Sequence, residues 1–298
     1  MPARIAIVGP GRVGSAMAQR FVCAGATLLG FVGRDEARTR AAVGAVGCGE
    51  VLSWAALVEA EYVVFAVGDN QLADAVRSAA AVGGPRAGLW LHTSGRHGLD
   101  VFEAAASLGV QFGSLHPLAP FPASVSIEHV PGGPAVLQGD ASSLASLRAL
   151  CSMLEFEPIV CGEQDRALYH AACALAANGA TALFGLAAQV LRRAGGLAEQ
   201  DAQMMVSSLM TAAVDAAGRH GAGPALSGPV RRGDCATVSA HLERLQSRAP
   251  EGVASYRALM SHAAQLAAEE GLPPDVSRRL HMILLGHGGP PDGSGGGD

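Results

Sequence analysis

No lysine occurs anywhere in this chain of 298 residues: all 21 basic residues are arginine. No Schiff base can therefore form on a lysine amine, and no lysine can serve as general acid or base. Cysteine occurs six times (Cys23, Cys48, Cys151, Cys161, Cys173, Cys235) but never as a CxxC pair. Neither a zinc site nor a disulfide framework is indicated, no metal is expected, and the thiols read as small core residues. Long apolar runs are missing too: no stretch reaches the roughly 18 uninterrupted apolar residues of a membrane span, and the N-terminus enters a strand with no signal-peptide grammar. Charge is scarce, at 16% of residues with a net charge of −5. That balance argues against a nucleic-acid partner or an anionic membrane surface. These absences lead to the expectation of a cytoplasmic protein. With 49% hydrophobic residues the chain can bury two cores.

What is present begins at the N-terminus. The apolar run Arg4-Ile5-Ala6-Ile7-Val8 opens directly into Gly9-Pro10-Gly11-Arg12-Val13-Gly14 and continues as a helical pattern through Phe21. Glycines at the first, third and sixth positions serve a tight turn, close backbone approach to a pyrophosphate and close packing of helix on strand. The helix N-terminus offers free N–H groups and the positive end of its dipole. A dinucleotide site is expected, with Gly9, Gly11, Arg12, Val13 and Gly14 on the phosphates.

The tip of the second strand bears on which dinucleotide. A site for NAD carries an acidic residue there for the ribose hydroxyls; this chain has Gly33-Arg34-Asp35-Glu36. Gly33 leaves room beside the ribose, and the planar guanidinium of Arg34 suits a 2′-phosphate. NADP(H) is therefore expected over NAD(H). The alternative is a solvated Arg34 with Asp35 turned inward to the ribose.

Strand and helix signals alternate through the first 160 residues, the pattern of a parallel sheet with helices on both faces. Helices are expected near 36–43, 71–81, 99–108 and 142–154, and strands near 50–52, 62–67, 89–92, 110–115, 135–137 and 158–160. Beyond Gly162 only helical patterns remain, at 164–194, 197–218, 234–247, 251–271 and 274–285. The fold class is α/β: an N-terminal doubly wound parallel sheet of Rossmann type at 1–162, then an all-helical C-terminal domain at 163–285. A tail at 286–298 has no apolar periodicity and is expected to be disordered.

Ligands of open α/β sheets bind at the carboxyl ends of strands. There the sequence places Val67-Gly68-Asp69-Asn70, His92-Thr93-Ser94-Gly95 and Ser114-Leu115-His116-Pro117. Val67, Asp69 and Thr93 are candidates for the cofactor, with helix capping an equal explanation of Asp69. His116 is the candidate proton donor, its ordinary pKa suiting transfer at neutral pH; a structural histidine is the alternative. In the following helix His170, Ala174 and Asn178 fall at i, i+4 and i+8, hence on one face. The loop Ser227-Gly228-Pro229-Val230-Arg231-Arg232-Gly233-Asp234 reads as a carboxylate clamp through Arg232 or as a solvated surface loop.

These motifs carry a resemblance. GPGRVGSAMAQRF, FVGRD, HTSG, GSLHPL, LYHAACALAANGATAL and LSGPVRRGD, in this order over residues 4 to 260, resemble bacterial proteins that join a Rossmann-like domain to the region catalogued as domain of unknown function 2520. That group is similar in turn to the superfamily of 6-phosphogluconate dehydrogenase, β-hydroxyacid dehydrogenase, ketopantoate reductase and pyrroline-5-carboxylate reductase. The resemblance implies an active site in the cleft between a nucleotide domain and a helical domain, and a homodimer formed through the helices. Ser94-Gly95 stands where ketopantoate reductases carry Asn-Gly, and Asn178 where many of these enzymes carry the Asn of Lys-x-x-x-Asn. The position four before it is Ala174, so the superfamily's lysine is missing and His116 or His170 is left to donate the proton. The implied activity is NADPH-dependent reduction of a small ketone or imine acid such as a 2-oxo acid, with Ser94 and Asn178 orienting the carbonyl and Arg232 holding a carboxylate. The alternatives are an NADP(H)-binding sensor or scaffold without turnover and, less favoured, hydride exchange with a deazaflavin.

Overall fold

Ile5, Ala6, Ile7 and Val8 are 0–2% exposed, which places strand β1 (Arg4–Val8) in the interior of a sheet covered on both faces. Side chains alternate across a strand. Ile5 and Ile7 accordingly join one core with Met17, Phe21, Phe31 and Leu91, while Ala6 and Val8 join a second with Phe65, Leu72, Trp90 and Phe102. The structure is a computed structural model that describes residues 2–83, 88–119, 121, 132–162 and 165–286.

After β1 come α1 (Arg12–Cys23), β2 (Thr27–Val32), α2 (Glu36–Val46), β3 (Glu50–Val51), β4 (Tyr62–Phe65), α3 (Asp69–Ala81) and β5 (Leu89–His92). Then follow β6 (Gln111–Pro117), β7 (Gly133–Gly139), α4 (Ala141–Met153) and β8 (Phe156–Val160). The eight strands form one sheet in the order β3-β2-β1-β4-β5-β6-β7-β8. Chain order reverses between β1 and β4, the topological switch point of a doubly wound sheet.

Three features differ from the sequence expectation. First, β7 runs antiparallel to β6, so the sheet is mostly, not wholly, parallel; β8 then runs parallel to β7. This partner extends β6 through His116 and Pro117, which pair with Val136 and Ala135, so His116 lies in a strand and not in the loop after it. Second, Leu99–Leu108 forms 3-10 turns, not an α-helix. Its buried residues, Phe102 and Ala105, lie three apart, the spacing that a 3-10 helix aligns on one side. Third, the helix expected over 164–194 is α5 (Arg166–Ala174), a π-helical turn (Leu175–Gly179) and α6 (Ala180–Gly195).

The helical remainder comprises α7 (Glu199–His220), α8 (Ala222–Ala225), α9 (Gly228–Arg232), α10 (Cys235–Arg248), α11 (Val253–Glu269) and α12 (Pro274–Leu285). The segment expected as a clamp loop thus holds a helical turn with proline at its start and Gly233 in the left-handed conformation at its end, a pairing that helix termini favour. Helices α9 to α12 enclose a core that includes Val230, Val238, Leu242, Ala267 and Leu280. A smaller core, Ala188, Ala202 and Val206, joins α6 to α7. The chain divides into two compact units between Ala177 and Asn178, inside the π turn. The run Arg166–Gly195 is long and apolar enough to cross a membrane by length and composition, with 6% of its most apolar window buried. Of the expected disordered tail, residues 287–298 lie outside the described residues.

Candidate functional site

The first unit carries a cavity of about 840 Å³ where β1, β2 and β4 end, lined by Val8, Gly9, Gly11, Val32, Gly33, Arg34, Arg38, Trp54, Ala66 and Val67 among others. Its backbone is built for close approach. Gly9 has φ of +113°, and a Cβ there would lie 2.5 Å from the Ala66 carbonyl oxygen, so only glycine fits. A Cβ at Gly14 would collide with the Gly9 carbonyl and Ile7, which is the close helix-on-strand contact expected of the third glycine. Gly11 differs: a Cβ there would meet only Ala66, at 3.8 Å. Nothing inside the chain demands glycine at this position, and its bare side keeps the cavity clear. Gly11 caps α1 with no side-chain hydrogen bond, and the first turn contains no acidic residue, so the N–H groups and positive dipole end stay available to an anion.

Arg34 and Arg38 both line this cavity. Asp35 lines the cavity as well, with its carboxylate accepting the Arg38 N–H at 3.1 Å and capping α2. Arg38 is a second guanidinium that sequence reasoning passed over. Its position four residues after Arg34, one helical turn into α2, was the available signal. Arg12 turns to the Phe121 carbonyl, 3.2 Å away, and Val13 packs on the core; neither lines the cavity. These groups fit a dinucleotide with a 2′-phosphate: a glycine cradle at a helix N-terminus and two arginines at the tip of β2.

Farther along the same edge, the loops after β4 and β5 are tied together. Ser94 Oγ donates to Asp69 Oδ1 at 2.6 Å and accepts the backbone N–H groups of Arg96 and His97 at 3.1 Å each. The His97 imidazole donates to the Asp69 carbonyl, 2.9 Å away. Asp69 therefore holds Ser94 and does not cap α3, whose cap position is Gly68. The Ser94 hydroxyl proton is thus engaged by Asp69. Beneath them His92, 0% exposed, accepts the Ser94 N–H on Nδ1 at 3.2 Å and donates Nε2–H to the Gly98 carbonyl at 3.1 Å. Burial lowers its pKa from 6.5 to about 3, so it is a neutral brace. Thr93 contributes its backbone N–H to the Phe65 carbonyl at 3.1 Å.

On β6, His116 Nδ1 lies 2.7 Å from Tyr169 Oη, with the rings edge to face. The His170 ring also meets that of His116 edge to face, the centroids 6.4 Å apart. The imidazole also presses on Gly95, where a Cβ would lie 2.7 Å from Cε1. Burial, then the neighbouring His170 and Arg166, lowers the His116 pKa to about 4. His116 is therefore neutral at pH 7, a correction to the expectation that rested on its ordinary pKa. Burial and the Cys173 thiol raise that of Tyr169. Arg166, 8% exposed, sits over the Tyr169 ring with its Cζ 5.7 Å from the centroid. It donates to Gln138 Oε1 through Nη2, while Nε and Nη1 have no partner among the described residues.

The structure thus brings His116 and His170 together and adds Tyr169 and Arg166, which sequence reasoning did not assign. Arg166, Tyr169 and His170 fall at i, i+3 and i+4, one helix face, and that spacing was the signal available. Asn178 and Arg232 belong to the second unit. Asn178 is exposed within the π turn, whose wider winding breaks the α-helical spacing that was to align it with His170 and Ala174. Arg232 closes α9.

The family description "Rossmann-like domain" matches residues 2–117, and "Domain of unknown function (DUF2520)" matches residues 134–279. No curated protein matches the sequence. Among solved structures, a candidate NADP oxidoreductase of Bacteroides fragilis is similar with a TM-score of 0.70 and 19% identity, over 88% of this chain and 98% of the other. An imine reductase of a Pseudomonas species has a TM-score of 0.64 and 19% identity, over 94% and 98%. A reductive aminase of Aspergillus terreus in complex with NADPH has a TM-score of 0.57 and 17% identity, over 96% and 93%. At these identities the likeness is one of fold. The chain thus carries a Rossmann-like domain followed by the domain of unknown function 2520.

Proposed function

We propose that this protein is an NADPH-dependent oxidoreductase that reduces the carbonyl or imine carbon of a small, carboxylate-bearing substrate such as a 2-oxo acid. The observation that carries this reading is the His116–Tyr169 pair, held at 2.7 Å between α5 and β6 of the same sheet whose switch point bears the glycine cradle. Gly9, Gly11 and the α1 N-terminus would hold the pyrophosphate, and Arg34 and Arg38 the 2′-phosphate. NADPH bound there would supply the hydride.

The chain's own contribution is the proton. In this reading Tyr169 O–H donates to His116 Nδ1, which leaves the proton of the neutral ring on Nε2. A developing alkoxide would take the Nε2 proton while Nδ1 receives that of Tyr169, and the Arg166 cation beside the ring opposes the burial that otherwise holds the phenol protonated. This relay replaces the lysine that the chain lacks.

The sequence boundary at residue 162 is kept in this reading, with 163–285 as the substrate and dimerisation region. A homodimer formed through the helices is supported by apolar side chains of α7 left in solvent, Met204, Leu209 and Val214 at 66–67% exposure. A cytoplasmic location is supported by six cysteines that are all free thiols.

The test is NADPH oxidation, followed by absorbance, against 2-oxo acids, cyclic imines and aldehydes, with NADH in parallel. Turnover with one class, faster with NADPH and lost in Tyr169→Phe, is the expected result. NADPH binding with no turnover across the panel would favour the sensor reading instead.

A further inference from the structure

The second unit contains a cavity that the proposed reaction does not use. It measures about 460 Å³ and lies between the C-terminal half of α6 (Val190, Arg193, Ala194), the C-terminal half of α10 (His241, Arg244, Leu245, Arg248) and Tyr256 of α11. The volume is within the range of small-molecule sites. Its walls are aliphatic, from Val190, Ala194, Leu245 and Ala249, and the Tyr256 ring closes one side, with Tyr256 Oη 2.8 Å from His241 Nδ1.

Three guanidiniums line this cavity and no carboxylate does. Two of them have structural work. Arg193 pairs with Glu251, just outside the lining, and donates to the Arg248 carbonyl at 3.5 Å. Arg248 returns a bond to the Arg193 carbonyl at 3.4 Å. The two arginines thus satisfy carbonyls at each other's helix ends, where cations are favoured. Arg244 is different: it is exposed, it borders the cavity, and its guanidinium has no hydrogen-bond or ion-pair partner among the described residues. In a chain with a net charge of −5, an apolar cavity lined by three arginines and no carboxylate is complementary to one kind of ligand.

We infer that this cavity is a second binding site, separate from the nucleotide cradle, for a small organic acid with an apolar body. The hydrocarbon part fills the space between Val190, Leu245 and Tyr256, and the carboxylate meets Arg244 at the rim with Arg248 beside it. A carboxylate is matched by the planar donors of arginine, whereas a neutral or cationic analogue would leave them without an acceptor.

The test is calorimetric titration of the full-length protein with octanoate, octanamide and octylamine, paired with methyl NMR of valine and leucine. Octanoate is expected to bind with shifts at Val190 and Leu245, and octylamine not to bind. Arg244→Glu, at an exposed position that leaves the core intact, should weaken octanoate by roughly 10- to 100-fold, the loss of one charge-assisted hydrogen bond, and leave NADPH affinity unchanged. Val190→Trp, which fills the cavity, should abolish the shift at Leu245. Equal affinity for the three ligands, an undiminished affinity in Arg244→Glu, or absence of octanoate binding would each overturn the assignment.

Discussion

Lowering the pH from 7 to 5 should destabilise the first unit by about 4 kcal/mol through two histidines alone. His92 and His116 have folded-state pKa values of about 3 and about 4, against 6.5 in the unfolded chain. A folded pKa below the unfolded one means that the unfolded chain binds more protons. Stability is therefore full above pH 6.5 and falls as pH drops toward 4. Each ring contributes about 2 kcal/mol between pH 7 and 5, where the unfolded imidazoles charge and the folded ones do not. The geometry gives the reason independently for His92: its Nδ1 accepts the Ser94 N–H and its Nε2–H is given to Gly98, so a second ring proton would break the first bond inside a dry core. The assay is urea unfolding at pH 7, 6 and 5, followed by circular dichroism. In His116→Gln the slope should fall to about half. A change under about 1 kcal/mol between pH 7 and 5, or an NMR titration of either ring above pH 5.5, would refute the reasoning.

Arg34→Ala should raise the Michaelis constant for NADPH roughly 10- to 100-fold and that for NADH little, and Arg38→Ala should do the same more weakly; equal effects on both nucleotides would sink the 2′-phosphate assignment. Tyr169→Phe should lower kcat about 100-fold or more with NADPH affinity intact in a fluorescence titration. Gly95→Ala would put a methyl 2.7 Å from the His116 ring and move it by about 1 Å, enough to cost up to about 100-fold in turnover; unchanged turnover would remove His116 from the mechanism. Leu209→Glu with Met204→Glu should convert a dimer to monomer in sedimentation velocity, and an unaltered mass would exclude α7 from the contact.

The legibility of this chain follows the range of its interactions. The cradle is written in consecutive residues, because turn, backbone approach and helix packing all act between Gly9 and Gly14. Strand burial was legible for the same reason, as each strand carries its own apolar run. Asp69 and Ser94 could be placed at strand ends, but not their mutual bond, which depends on neighbouring loops leaning together. The His116–Tyr169 pair spans 53 residues and lies beside β7, a strand expected near 135–137 whose antiparallel direction no local pattern announced. The π turn was equally hidden, since Leu175-Ala176-Ala177-Asn178-Gly179 is composed largely of good helix formers.

The inverted strand also sets a direction of travel. Because β7 runs against β6 and β8 follows β7, Val160 ends level with Leu137 and through it with Leu115 of β6, with the chain heading toward the start of β6. The chain leaves β8 heading away from the cradle end, and the next helix runs back along β6. Arg166 meets Gln138, whose cross-strand neighbour is Ser114; one turn later Tyr169 meets His116, two residues farther up β6. A helical rise of about 4.5 Å over three residues keeps approximate pace with the 6.6–6.8 Å of two strand residues. With a parallel β7 and β8 the helix would start at the top and descend, carrying Tyr169 away from the imidazole. A single reversal of strand polarity is thus what allows a residue from the helical segment to complete a pair on the sheet.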